Sequence, residues 1–495
     1  MANLFARFSR KAIISFLLLM LLGLGVFFYF YARGHSVQVA VQSLEVFGSI
    51  AKILPIPADT KKEIEVITQL TEALTAQDDE ERKYLILLQN NMELRPGGGF
   101  LGQYAVLTIK NGQVVSHFFE DANLLDQRII TPVAPPSPLR TMLSLKKWKF
   151  RDSNFSPDFP TNVEKAKYFY RLAGKNSNFD GVIAVNADVL THVLLLTGPI
   201  TAYGRTFTAD NVVLDLEEVV EKPYLGEDVP AELKQNRKAI MKTMTEIIIE
   251  RLSSLNNVPK IANLILEELR NKDIMISFED ASLQTAIESV HWDGRVASGW
   301  EGDYLMIVDA NLGALKTDYY IKRRYEYTVD FTGGTDINTQ DKNYRTVVTQ
   351  QADQSQQTQE DVEGVKRPRV TLRVHYDHTA PQGNWRTSDY HTWTRVYVPK
   401  GSTMNSWLLT GTPQKTEEFS KTVFGYKVDA LIGRELVTTT VYDLPETITS
   451  ENYHLLVQKQ SGVGTVPFTA RVITGEKTVE HTADLSKDLK FELSS

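Results

Sequence analysis

Apolar and polar positions alternate along this chain in three rhythms, each predicting a different kind of structure. From Ala12 to Tyr31 no side chain is charged. As a helix rising about 1.5 Å per residue, this run spans about 30 Å, the thickness of a bilayer's hydrocarbon core. Arg7, Arg10 and Lys11 precede it and Arg33 follows. The positive-inside rule therefore puts the N-terminus in the cytoplasm and the bulk of the chain outside. The run closes on Phe28-Tyr29-Phe30-Tyr31, suited to a membrane–water boundary, and no small-x-small cleavage site ends it. It reads as an uncleaved single-pass anchor.

A helical period follows. Leu44, Phe47, Ile50, Ala51 and Leu54 make one stripe, Pro55 and Pro57 interrupt it, and Ile64, Ile67, Leu70 and Leu74 resume it. Two kinked helices over 32–80 either form a stalk or pack on the first domain's core. Tyr84–Gln89 then reads as a buried strand, Asn90–Gly99 as a polar, glycine-rich loop, and Phe100–Ile109 as a second strand. Asn111-Gly112 is a tight-turn signal before a returning strand over Val114–Phe119. Residues 131–138 make a proline-rich surface loop. Thr161-Asn-Val-Glu164 is a capping-box pattern opening a helix. Phe179–Val185 predicts a buried strand and Ala187–Leu196 a helix ending at Gly198-Pro199. Helical stripes follow around Ile240–Leu255, Ile261–Leu269 and Leu283–Val290, and Tyr304–Val308 predicts a closing strand.

The third rhythm has period two. Ile321, Tyr325, Tyr327, Val329 and Phe331 alternate with Lys322, Arg324, Glu326, Thr328 and Asp330. Val370, Leu372, Val374 and Tyr376 alternate in the same way. The fold class expected is an α/β domain followed by an all-β antiparallel sandwich, behind one N-terminal transmembrane helix. The boundaries read as 1–11 cytoplasmic, 12–31 transmembrane, 32–80 stalk, 81–315 α/β with a helical insertion, and 316–495 sandwich. A polar, mobile loop is expected over 333–366, around the low-complexity Gln350–Glu360.

Composition narrows the chemistry. The chain has no cysteine, which excludes thiol catalysis, thiolate zinc and iron–sulfur clusters. Its net charge of −7 comes without a basic block, so nucleic acid is not an expected partner. Two segments concentrate candidate ligand-binding residues. In Asn90–Gly99 they are Asn91, Glu93, Arg95, Gly97, Gly98 and Gly99; in Arg151–Pro160 they are Asp152, Asn154 and Asp158. Successive glycines let backbone N–H groups approach an anion, and an arginine offers a fork of donors for phosphate or carboxylate. The same residues also suit a plain turn in which Arg95 pairs with Glu93 or another carboxylate. His375, Asp377, His378 and His391 are metal-ligand types. Strand geometry sends His375 and Asp377 one way and His378 the other, so they are expected as surface residues and no metal site is assigned. Trp385 and Trp393 suit either stacking on sugar rings or the sandwich core.

Several stretches together resemble the bacterial domain-of-unknown-function family 4012. They are Leu87–Leu101, Arg151–Pro160, Asp180–Val185, Leu196-Thr-Gly-Pro199 and Asp303–Tyr320, within roughly residues 80–330. The resemblance implies a membrane-anchored, extracytoplasmic protein of uncharacterised role. The order of elements over Tyr84–Val115 and Phe179–Thr201 is also similar to the LytR–CpsA–Psr family of cell-wall glycopolymer transferases. Arg95 would stand where that family's pyrophosphate-binding arginine is expected, but Pro96 and Gly97 follow it in place of an Arg-x-Asp-Thr pattern.

Two functions follow. The first is a noncatalytic cell-envelope protein that binds or assembles a surface polymer or a protein and needs no cofactor. The second is a transferase acting on a lipid-linked glycan. There Arg95 and the N–H groups of Gly97–Gly99 would hold a diphosphate, and Asp152 or Asp158 would hold a divalent cation or act as base. No hydrolase signature is present.

Overall fold

The computed structural model describes residues 57–225, 258–332, 367–475 and 477–492, with isolated helical positions between 240 and 251. The anchor at 12–31 and the loop at 333–366 lie outside the described residues. Among the described residues no helix is long and apolar enough to cross a membrane. The chain divides into two compact units. Of the described residues, one unit comprises those through Gln89, those in Leu101–Gln127 and those in Gly174–Gly294, and the other those in Asn90–Phe100, Arg128–Ala173 and from Arg295 onward.

The first unit is the α/β part. Its strands are β1 (Glu81–Arg95), β2 (Gly98–Lys110), β3 (Gln113–Asp121), β4 (Gly181–Asn186) and β7 (Ile274–Phe278), with a small hairpin of β5 (Ile200–Ala202) and β6 (Arg205–Phe207). The sheet order is β3-β2-β1-β4-β7. β4 runs parallel to β1 from Tyr84↔Gly181 to Gln89↔Asn186, and β7 is antiparallel to β4. Asn111 and Gly112 both take positive φ, 49° and 72°, as a tight hairpin turn between β2 and β3 requires.

The second of the two helices read as a stalk, Ala58–Thr75, packs on this unit. Its Val66 and Leu70 share a core with Tyr84, Leu266, Phe278, Ile287 and Trp292. Arg270 grips Glu63 of that helix through Nε and Nη2 at 2.9 and 2.5 Å. An apolar stripe on one helix face needs a partner, and here the sheet and two neighbouring helices supply it.

The second unit contains two six-stranded sheets. One has the order β12-β15-β10-β9-β17-β18 and the other β13-β14-β11-β8-β16-β19. The strands are β8 (Asp303–Asn311), β9 (Ile321–Asp330), β10 (Arg369–His378), β11 (Tyr390–Pro399), β12 (Thr403–Leu408), β13 (Thr410–Glu418), β14 (Lys421–Ala430), β15 (Glu435–Asp443), β16 (His454–Val457), β17 (Val466–Thr474), β18 (Lys477–Leu485) and β19 (Leu489–Glu492). The period-two residues face one shared core: Tyr325, Tyr327, Val329, Val370, Leu372, Val374 and Tyr376 from one sheet meet Leu305, Ile307, Val396, Val398 and Phe424 from the other. That is the expected sandwich, with three differences.

It is not purely antiparallel, because β9 pairs with β17 and β8 with β16 in parallel. The run Tyr304–Val308, expected to close the α/β layer, is instead a wholly buried strand inside the sandwich, between β11 and β16. A continuous apolar run fits a strand covered on both faces, and the sequence pattern does not say which sheet holds it. Two of the three histidines expected on the surface are buried, His375 and His378 at 8 % and 0 % exposed, while the His391 side chain is 40 % exposed. His375 Nδ1 lies 2.8 Å from Glu435 Oε1, and His378 Nε2 lies 2.9 Å from the Ser388 carbonyl.

Candidate functional site

All nine candidate residues fall in the second unit. The stretch Asn90–Gly99, expected as a loop, is mostly strand. β1 continues to Arg95, only Pro96 and Gly97 turn, and β2 begins at Gly98. Strand alternation then sorts the side chains. Leu94 enters the sandwich core, while Asn91, Glu93 and Arg95 share the opposite face.

On that face Arg95 is 2 % exposed. Its Nε donates to Asp152 Oδ1 at 3.2 Å, Nη2 to Glu93 Oε1 at 2.8 Å, and Nη1 to the carbonyls of Asn311 at 2.7 Å and Leu94 at 3.3 Å. Lys316 Nζ closes the cluster on Glu93 Oε2 at 2.8 Å. Two carboxylates thus meet two cations away from water, an arrangement that survives burial only when charges and hydrogen bonds are matched. Burial pushes the Glu93 carboxyl up, but Arg95 and Lys316 outweigh it and hold the group below its usual range. Asp152 goes the other way, because burial outweighs its single contact with Arg95. Arg95 therefore makes the pairing with Glu93 and a second carboxylate that a structural turn requires, and its fork is engaged by protein.

The glycines have the same character. Gly97 N–H donates to the Asn154 carbonyl at 3.0 Å, and Asn154 Nδ2 donates to the Gly99 carbonyl at 2.6 Å. A Cβ at Gly97 would stand 2.3 Å from Asn162 Nδ2, and one at Gly99 2.3 Å from the Asn90 carbonyl carbon. Gly98 has φ 129°, and its carbonyl oxygen lies 2.2 Å from where a Cβ on Gly462 would be. Asn91 Nδ2 reaches the Gly462 carbonyl at 3.1 Å. Backbones meet backbones here, so side chains are excluded by packing.

Asp158 stands apart from the cluster. It caps the helix Phe159–Leu172, its Oδ2 accepting from Thr161 N at 3.0 Å and Thr161 Oγ1 at 2.6 Å. The cap was expected at Thr161, three residues later. Asp158 wins because Pro160 suits the first turn, where no N–H partner is needed. Its other oxygen, Oδ1, accepts from Val296 N at 3.0 Å.

Two features escaped the sequence reading. The first is a buried network behind the cluster. Arg323 donates to Asp309 at 2.8 Å and Asp318 at 2.7 Å, and Asp318 accepts from Leu94 N at 3.0 Å and Asn311 Nδ2 at 2.8 Å. A signal was present, since Arg323 occupies the register of Ile321 and Tyr325, where the period-two pattern asks for an apolar side chain.

The second is an open groove of about 440 Å³. Its floor is the outer face of β11, β14 and β13, with Trp393, Arg395, Gly425 and Glu418. Its wall is the segment holding Trp148, Ser153 and Phe155, together with Pro136 and Pro138 of the proline-rich stretch. The loop Arg151–Pro160 thus faces two ways. Asp152 and Asn154 turn to the hairpin tip, while Ser153, Phe155 and Ser156 border the groove.

No curated protein matches this chain. Among solved structures, the Lin1025 protein from Listeria innocua aligns at 12 % identity, covering 43 % of this chain and 80 % of that one, with a TM-score of 0.26. That likeness is too slight to bear on fold or function, and the LytR–CpsA–Psr similarity is not shown by these matches. Residues 79–220, which carry the hairpin tip and the loop Arg151–Pro160, match the family model described as "Protein of unknown function (DUF4012)".

Proposed function

We propose that this chain is a membrane-anchored, extracytoplasmic cell-envelope protein that binds a surface polymer or a protein without altering it. The observation that carries the reading is the open groove on the sandwich face beside a charged cluster that is closed upon itself. The uncharged run Ala12–Tyr31, flanked by Arg7, Arg10 and Lys11, supplies the address. A transferase working through Arg95 would need the guanidinium to exchange Glu93, Asp152 and the Asn311 carbonyl for a diphosphate. The groove needs no such exchange.

The test is protease treatment of intact spheroplasts carrying the full chain with a C-terminal tag, followed by co-sedimentation of the detergent-extracted chain with isolated cell walls. Loss of the tag from intact spheroplasts and sedimentation with walls are expected. A tag protected until lysis, or a chain that stays in the supernatant, overturns the reading.

A further inference from the structure

We propose that the groove takes a saccharide, with Trp393 as its stacking platform and Ser153, Arg395 and Glu418 as its polar contacts. This rests on the binding reading above and names the ligand class.

The platform is built into the sheet. Trp393 and Arg395 are two apart on β11 and share its outer face, and Arg395 is in register with Gly425 of β14. A Cβ at Gly425 would stand 2.9 Å from Cζ2 of Trp393 and 3.3 Å from both Cε2 and Nε1. The missing side chain therefore lets the indole approach the neighbouring strand closely. Trp393 remains only partly buried and borders the groove, and its Nε1–H has no hydrogen-bond partner among the described residues. A second indole, Trp148, stands in the wall with Lys165 Nζ over its ring at 4.6 Å. Flat aromatic faces of this kind suit the C–H face of a pyranose, and the Nε1–H of Trp393 suits its hydroxyl rim, whereas that of Trp148 donates to the Asp152 carbonyl at 2.7 Å.

The polar groups match. Arg395 donates through Nη1 to Glu418 Oε2 at 3.1 Å and through Nη2 to the Phe155 carbonyl at 3.0 Å. Tyr397 Oη also donates to that Oε2, at 2.6 Å, leaving Glu418 Oε1 without a partner among the described residues. A planar carboxylate held this way can receive a sugar hydroxyl. Ser153 is 2 % exposed, its Oγ has no partner among the described residues, and it borders the groove. A buried hydroxyl with no partner is costly, and an incoming hydroxyl group would satisfy it once the groove wall shifts enough to uncover its Oγ.

Geometry favours a saccharide over a peptide strand. Alternate residues of β11, β13 and β14 form the floor, so a ligand in the groove meets a sheet face and not the outer edge of β13. Strand addition needs a sheet edge.

The test uses the full chain in a sugar-free detergent, titrated calorimetrically with chitotetraose, cellotetraose and maltotetraose. At least one is expected to bind, with affinity falling tenfold or more in Trp393→Ala and several-fold in Ser153→Ala. Ser153→Ala removes only an unpartnered hydroxyl, so its fold serves as the control should Trp393→Ala unfold. Absence of binding by all three at millimolar concentration, or equal binding by wild type and both variants, overturns the inference. If the chain sediments with cell walls yet binds none of the three, the binding reading stands and the saccharide falls. If it does neither, both fall.

Discussion

The charged cluster around Arg95 and the groove over Trp393 are built by the same ten-residue loop and end in opposite states. In the cluster, Asp152 and Glu93 oppose Arg95 and Lys316 at 2.8 to 3.2 Å, with Glu93, Arg95 and Asp152 buried and Lys316 partly so. In the groove, the neutral Ser153 Oγ stands without a partner among the described residues. A charge removed from water must be matched inside the protein or it costs several kcal/mol, whereas a neutral hydroxyl can wait for a ligand at a modest cost. In this loop Asp152 and Asn154 belong to the scaffold, while Ser153, Phe155 and Ser156 border the groove.

The most direct way to break that contrast is Arg95→Ala. It would leave Glu93 and Asp152 buried with one cation between them, and breaking a buried pair costs about 3–5 kcal/mol. Denaturant unfolding should show a loss of that size, with Arg95→Lys retaining part of it because the charge stays while the fork is lost. If Arg95→Ala left stability unchanged and abolished ligand binding, the roles assigned to cluster and groove would have to be exchanged.

A second test compares carboxylates. Glu93 has cations at hand, whereas Asp303 is fully buried and met by Tyr327 Oη at 2.6 Å, Tyr453 Oη at 2.8 Å and Tyr304 N at 2.8 Å. Burial pushes Asp303 from 3.8 up to about 6, against those three hydrogen bonds and the more distant His454. A carboxyl raised in the folded state holds its proton longer there than in the unfolded chain. Its contribution is therefore fully present below about pH 3.8 and is lost as pH rises through about 6. The loss amounts to about 3 kcal/mol at most. Asp303→Asn should remove that slope, so that variant and wild type differ in stability more at pH 7 than at pH 4. Parallel urea curves for the two proteins across this range would show that the carboxyl is ionised throughout.

How much of this was legible in the sequence follows from the physics of each signal. Val370, Leu372, Val374 and Tyr376 announced a sandwich strand because a sheet with one buried face forces period two. Tyr304–Val308 announced a buried strand but not its sheet, because a strand covered on both faces has lost the alternation that would orient it. Asn91, Glu93 and Arg95 were found because charged and amide groups beside glycines are unusual, and Asp152 and Asn154 because two carboxylates and an amide stand among prolines. The pairing of Arg95 with Glu93 was open to a local reading, but its contacts with Asp152, 57 residues away, and Asn311, 216 away, were not. The groove was the least legible. Its platform depends on Gly425 standing beside Trp393 across a strand pair, and nothing within either local stretch marks that pairing.

The smallest effect is expected at the hinge between the two regions, Asp158. Its Oδ2 caps the helix Phe159–Leu172 and its Oδ1 receives Val296 N at 3.0 Å, while Thr161 and Asn162, one turn on, border the groove. Removing a helix cap costs about 0.5–2 kcal/mol. Asp158→Ala should therefore lower stability by about 1 kcal/mol in a thermal or denaturant melt, well short of the loss expected at Arg95. Asp158→Asn should keep the cap, since asparagine caps as well as aspartate, but its NH2 group cannot accept from Val296 N, so part of the loss remains. Binding should respond more than stability does. The freed helix start carries Thr161 and Asn162, and Asn162 in turn holds the backbone of Ser156 through Oδ1 at 3.0 Å and Nδ2 at 2.8 Å. A groove wall loosened by even a small displacement loses the fixed geometry that polar recognition needs. A variant that melts like wild type but binds chitotetraose or its equivalent less tightly would place Asp158 between scaffold and surface. A variant that loses stability and keeps full affinity would assign it to the scaffold alone.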